Sequence, residues 1–222
     1  MSRVIVKVGG AVAKDAASRL LDFVAFGDEV CVVHGAGPQI SEEMARYGLP
    51  VEFVAGRRVT SPAALVLVRR SMARVNAQLC AALGERAVGL IGDEIGLQAE
   101  HVPELGRVGD PVPSRPLAIE LALAQGLIPV VAPVAQGPLN VNADEAAAAL
   151  AVGLGAERIV FVTDVPGVVL GGAVAQTLAA GDADRMLDSG ELEGGIVPKV
   201  RAAVTAARFG VRAEIGATAV IA

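Results

Sequence analysis

Six short apolar runs, each closing on a glycine-rich or polar turn, constrain this chain more than any other feature. They occupy residues 4–8, 30–33, 87–91, 128–131, 159–163 and 211–215. A strand with one wet face alternates apolar and polar residues. Runs as continuous as VIVKV and VCVV instead need cover on both faces, as in parallel sheets. Helical stretches fall between them, at residues 16–25, 39–47, 63–83, 116–125, 144–154 and 198–209. This alternation predicts an α/β fold, a three-layer αβα sandwich around a central, mostly parallel sheet. Gly48, Gly84, Gly126, Gly155 and Gly210 each follow a helical stretch, where a left-handed closing residue is wanted. Residues 92–115 and 170–195 break the pattern. The first reads as a hairpin or excursion on the sheet edge, the second as a flexible surface region. No linker is rich enough in Pro, Gly or Ser to separate independent domains, so the 222 residues read as two lobes on one continuous sheet.

Composition narrows the ligand. A net charge of -5 offers no electrostatic footprint for nucleic acid, and 3% aromatics offer no stacking platform. A small molecule is the expected partner. Cys31 and Cys80 stand alone and read as buried thiols of a reducing compartment, and only two histidines, His34 and His101, argue against a zinc site. The most apolar region, residues 121–134, is interrupted by Gln125, Gly126 and two prolines, so no membrane span is expected. The chain opens directly on a strand, with no leader pattern. A cytoplasmic protein is the expectation.

Four glycine loops close strands or open a helix: Lys7-Val8-Gly9-Gly10, His34-Gly35-Ala36-Gly37-Pro38, Asp164-Val165-Pro166-Gly167 and Gly194-Gly195. Such loops at strand ends are where open α/β sheets bind ligands, although glycine also simply permits tight turns. Lysine is scarce: Lys7, Lys14 and Lys199 are three of nineteen basic residues. Lys199 follows Pro198, a good first residue of a helix, which puts it in the first turn at the unfavourable end of the macrodipole. Glycines, helix terminus and lysine together suit a bound phosphate. Asn140 and Asn142 stand just before an alanine-rich helix, where Asn142 or Asp144 could cap. There is no Walker loop, dinucleotide fingerprint or serine or cysteine triad.

VIVKVGG, VVHGAGPQI, GRRVT at residues 56–60, AVGLIGDEIGL, LNVNADEAAAALAVGLGAERIVFVTDVPGV and GGIVPKV follow one another in an order that resembles the acetylglutamate kinases of the amino acid kinase superfamily. The likeness runs from the first strand to about Phe209. It implies the amino acid kinase fold, with an amino-acid-binding and dimerisation lobe at residues 1–157 and a shortened nucleotide-binding lobe at 158–222. It also implies ATP-dependent phosphorylation of the γ-carboxylate of N-acetylglutamate, with Mg2+, a step of arginine biosynthesis. By the same resemblance Lys7 and Lys199 stabilise the transferring phosphoryl group and Asp144 holds the two lysines. Gly35, Ala36, Arg58 and Asn140 bind the acetylated amino acid. Gly9, Gly10, Thr163, Asp164, Gly167 and Val168, with residues 191–193, bind the nucleotide.

A homodimer insensitive to arginine is implied, with residues 63–83 as a candidate interface. Ala36 departs from the family pattern, replacing a glycine, and so does Arg57, which replaces a leucine and is expected to be solvated. The region after Val169 is compressed and lacks the closing helix and strand. A sister kinase acting on N-acetyl-aminoadipate, or a catalytically weak ligand-binding relative, are the alternative readings.

Overall fold

The computed structural model describes residues 2–9 and 16–222. In chain order its first half holds β1 (Arg3–Val8), α1 (Ala16–Ala25), β2 (Glu29–His34), α2 (Gly37–Arg46), β3 (Phe53–Val54), β4 (Arg57–Arg58), α3 (Pro62–Leu83), β5 (Ala87–Ile91) and α4 (Gly92–Ile95). There follow β6 (Ala99–His101), β7 (Val108–Pro111), α5 (Leu117–Ala124), β8 (Ile128–Ala132), β9 (Val134–Ala135), β10 (Leu139–Val141) and α6 (Ala143–Gly153). The rest comprises β11 (Arg158–Val162), β12 (Val169–Leu170), β13 (Ala173–Val174), β14 (Thr177–Ala179), α7 (Ala180–Ser189), α8 (Ile196–Arg208), β15 (Arg212–Ile215) and β16 (Thr218–Ile221).

The main sheet has eight strands in the order β14-β16-β15-β11-β1-β2-β8-β5. All of its pairings are parallel except β15 with β16. Alternation along β1 explains why its run is continuous. Ile5 packs into the core shared with α5 to α8, while Val4, Val6 and Val8 pack into the core shared with α1 to α3. Both faces are therefore dry, as the apolar runs required. Helix α6 packs on β1, β2 and β11 beside α8, which covers β15 and β16, and its residues from Ala146 to Ala151 are all buried. Alanine there lets the sheet, α8 and β7 all approach this helix closely.

Several elements depart from the expectations. Residues 92–115 do make a hairpin, β6 with β7, but it joins β9 and β10 in a separate four-stranded sheet. Residues 170–195 are packed rather than loose: Leu178, Ala180, Ala183, Met186 and Leu192 all enter the core. The chain also does carry a closing strand, because β16 inserts between β14 and β15. Strands of two to four residues leave no periodic trace in a sequence, so their pairing is decided by the surface they meet. Cys31 and Cys80 are free thiols, and burial pushes Cys31 up to about 12. Among the described residues, no helix is long and apolar enough to cross a membrane.

Candidate active site

Period-two alternation puts Lys7 on the same face of β1 as Ile5, toward α6. At the start of α6, Asn142 is the N-cap: its Oδ1 accepts from the amides of Asp144 at 2.8 Å and Glu145 at 3.2 Å. Capping by Asn142 leaves the Asp144 carboxylate free to meet cations. Its Oδ1 is 2.8 Å from Lys7 Nζ and its Oδ2 is 3.7 Å from Lys199 Nζ. Two lysines from opposite ends of the chain thus converge on one buried carboxylate. Burial lowers the pKa of Lys7, the nearby Lys199 charge adds to this, and Asp144 opposes both. Lys199 lies in the first turn of its helix as expected, but as its fourth residue, because Pro198 is not the first. Helix α8 begins at Ile196, so Pro198 is its third residue, and Lys199 reaches back to donate to Gly195 O at 3.2 Å.

Asp144 and Lys7 line a cavity of about 250 Å3 with Gly35, Ala36, Gly37, Arg58 and Asn140. The β3–β4 hairpin forms one side of it, turning through Ala55 at φ 49° and Gly56 at φ 80°. Arg58 is buried: one guanidinium nitrogen donates to Gly37 O at 3.1 Å and Ser41 Oγ at 2.8 Å, and its cation sits 4.6 Å over the Phe53 ring. Burial lowers its pKa from the ordinary arginine value. Asn140 donates to Thr60 Oγ1 at 3.0 Å, and that hydroxyl donates to Arg58 O at 2.8 Å. Ala36 has φ −142° and ψ 28°, on the negative-φ side and so outside the left-handed region that would require glycine, and its methyl packs into the core. Beneath this loop His34 is fully buried, with Nε2 3.2 Å from Asn76 Nδ2, and burial lowers its pKa to about 4.

Across Asp144, Lys199 belongs to a second cavity of about 450 Å3. Its walls are residues 163–169 and residues 191–196 apart from Gly194, with Thr163, Asp164, Gly167 and Val168 all among them. This loop is pinned from behind by the β15–β16 turn. Val168 N donates to Thr218 Oγ1 at 2.9 Å, Thr218 Oγ1 donates to Ala175 O at 2.7 Å, and Ala217 N donates to Pro166 O at 2.8 Å. The approach is close enough that a Cβ on Gly216 would lie 2.4 Å from Pro166 O.

Of the residues expected at a site, Lys7, Asp144, Gly35, Ala36, Arg58 and Asn140 therefore gather in one cavity. Thr163, Asp164, Gly167, Val168 and Lys199 gather in the other. Gly9 lines neither cavity, and Gly10 lies outside the described residues. Arg57 is not solvated: it pairs with Glu145 at 3.1 Å and Asp110 at 2.8 Å. Burial alone would lower its pKa, but the Glu145 and Asp110 bonds and charges carry it above the ordinary value. Sequence reasoning missed Ser41, Thr60, Glu145 and Thr218. Ser41 had a weak signal, four residues after Gly37 on a helix, while Asn140, Arg57 and Val168, the site residues that Thr60, Glu145 and Thr218 bond, lie 50 to 88 positions away.

A model of the amino acid kinase family matches residues 2–216. The chain is 43% identical to the acetylglutamate kinase of Rubrobacter xylanophilus, over 97% of this chain and 88% of that one. It is 40% identical to that of Roseiflexus castenholzii, over 94% of this chain and 86% of that one. Among solved structures, a Streptococcus mutans protein, smu.665, superposes with a TM-score of 0.89 at 28% identity, covering 99% of this chain and 98% of that one. Carbamate kinase from Giardia lamblia, bound to AMP-PNP, shares the fold at a TM-score of 0.75 and 15% identity, covering 99% and 98% of the two chains. With the matched segments spanning the residues that gather at Asp144, the chain belongs to the amino acid kinase family.

Proposed function

We propose that this protein transfers the γ-phosphoryl group of ATP to the γ-carboxylate of N-acetylglutamate, forming an acyl phosphate in arginine biosynthesis. The observation that carries this reading is Asp144 holding one lysine from each cavity. In it the smaller cavity takes the acceptor and the larger takes the nucleotide, so the transferring group passes between Lys7 and Lys199. A γ-carboxylate has a pKa of about 4 and is already ionised near neutrality, so no general base is required. His34, held neutral by burial, fits that requirement. Phosphoryl transfer then depends on alignment and on neutralising charge at the equatorial oxygens, which two lysines supply.

Arg58 carries the charge suited to the acceptor's α-carboxylate. Gly9 and Gly10 complete the phosphate cradle in this reading. A magnesium ion on the nucleotide's phosphates would add to the charge neutralisation that the two lysines supply. Residues 1–157 form the acceptor lobe and residues 158–222 the nucleotide lobe. The enzyme works in the cytoplasm as a homodimer. Helix α3 is the proposed interface, and its outward Ala63, Val66, Ala73 and Ala77 support that role.

The test is to incubate the protein with N-acetylglutamate, Mg2+ and ATP in the presence of hydroxylamine. Hydroxamate and ADP formed in equal amounts, dependent on both substrates, are expected. Hydroxamate from N-acetyl-aminoadipate but not from N-acetylglutamate would reassign the acceptor. Neither acceptor reacting in a folded protein would overturn the reading.

A further inference from the structure

Arg57 and Arg58 are adjacent on β4 and so face opposite ways. Arg58 turns inward to α2, whereas Arg57 reaches outward to two other elements. Its Nε lies 3.1 Å from Glu145 Oε2 and 3.3 Å from Oε1, and its Nη2 lies 3.2 Å from Glu145 Oε1 and 2.8 Å from Asp110 Oδ1. One guanidinium thus ties the hairpin to the first turn of α6 and to β7. Glu145 is the residue after Asp144, and its side chain is 13% exposed. Asn142, the cap of the same helix, donates to Gly56 O at 3.4 Å.

Arg58 holds the inner side of the hairpin to α2, and backbone bonds of Thr60 to Leu105 and Arg107 hold the chain just beyond it, so on the α6 side the Asn142 contact and the Arg57 pairs are its ties. The hairpin is a two-stranded sheet with two residues in each strand, and Phe53 and Val54 are exposed. Isolated hairpins of this size are marginal, and Ala55 occupies a left-handed conformation that alanine disfavours. Yet this hairpin brings Phe53, Gly56, Arg57 and Arg58 to the smaller cavity.

We propose that Arg57 is a positioning residue. With Glu145 and Asp110 it latches the β3–β4 hairpin onto the start of α6, setting Arg58 at a fixed distance from Asp144 and Lys7. The latch restricts how the acceptor is held and leaves the larger cavity untouched. This rests on the reading of the smaller cavity as the acceptor site. A planar two-toothed cation is needed, because two acidic partners approach from different elements.

The experiment compares Arg57→Met, Arg57→Lys, Glu145→Gln and the Arg57→Met/Glu145→Gln double variant. In the free protein, amide hydrogen exchange over residues 53–59 is expected to speed up about tenfold in Arg57→Met, with α8 unchanged. In kinetics, the acceptor KM is expected to rise roughly tenfold, with the ATP KM and kcat moving less than about threefold. Arg57→Lys should recover part of the loss, and the double variant should be no worse than Arg57→Met alone. Unchanged hairpin exchange, or equal rises in both KM values, would overturn the latch. A parent protein that phosphorylates no acceptor while Arg57→Met still frees the hairpin would overturn the acceptor reading and leave the latch standing.

Discussion

The charged and polar side chains in the cavity on the Lys7 side of Asp144 are tied across long stretches of chain, whereas the cavity on the Lys199 side is walled by two loops. In the first, Lys7, Arg58 and Asn140 are each fixed by partners distant in sequence: Asp144, Gly37 and Ser41, and Thr60. In the second, the Thr163 hydroxyl bonds only its neighbours Asp164 and Val165 among the described residues, and the outer loop is held mainly through its backbone by the β15–β16 turn. Under the proposed function the physical distinction follows ligand size and charge. A small anion is recognised by a few charges at fixed positions, which demands buried, cross-linked side chains. A larger ligand with an apolar part is served by a slot whose floor is main chain and aliphatic residues such as Val169, Leu192 and Ile196.

The lysines test this contrast most severely. Lys199→Ala should lower turnover by about 10^2- to 10^3-fold, as losing a cation aimed at transition-state charge does, with the circular dichroism spectrum and melting temperature preserved. Lys7→Ala should lose activity too, but should also cost about 1–3 kcal/mol of stability, because the buried Asp144 carboxylate loses its partner at 2.8 Å and keeps Lys199 only at 3.7 Å. Equal melting temperatures for the two variants would break the comparison, and normal turnover in Lys199→Ala would remove that lysine from the chemistry.

Acid should reach the first cavity through His34. Its folded pKa of about 4 lies below the unfolded value of 6.5, so between the two the unfolded chain binds the extra proton. The contribution is fully present above pH 6.5 and is lost as the pH falls toward 4, by about 3 kcal/mol in all. Protonation would also set Nε2 against the Asn76 donor. Urea unfolding of the parent and of His34→Gln, from pH 8 to pH 4, checks this. Parallel curves would mean that His34 does not carry the acid sensitivity.

Selective kinetic effects should separate the two walls at smaller scale. Arg58→Lys should raise the acceptor KM by roughly 10- to 50-fold and the ATP KM less than about twofold, since an ammonium cannot reproduce the paired donors of the fork. Equal rises would make Arg58 a structural residue. Thr218→Val should do the converse, raising the ATP KM by about five- to tenfold by orphaning the Val168 amide, with the acceptor KM unchanged. An unaltered ATP KM would show that the β15–β16 turn does not govern the larger cavity.

The regular elements were legible from residue pattern. The apolar runs at 4–8, 87–91 and 128–131 match β1, β5 and β8 within a residue or so, and the stretch at 16–25 is α1. Dry strands and capped helices are local consequences of side-chain type, and local consequences can be read in order along a chain. The lysine at the end of the first strand and the capping asparagine are legible for the same reason. Residues 170–195 were misread as loose because β14 is three residues long and α7, though amphipathic, carries three Asp residues and only Met186 and Leu187 as large apolar ones. Their apolar residues become visible as core only when α8 and the sheet are placed over them.

Sequence alone determined that this chain would build a mostly parallel α/β sheet with glycine loops at strand ends and two conspicuous lysines near them, because periodicity, capping and glycine chemistry act over a few residues. Only the tertiary structure decided that β1 and β11 lie side by side at the centre of the sheet, and that Lys7 and Lys199 share Asp144. It likewise decided that Arg57 pairs with Glu145 and Asp110 rather than with water. Those contacts depend on which strand enters which register and which helix covers it. That is settled by burying all the apolar faces at once, so no short window of sequence contains it.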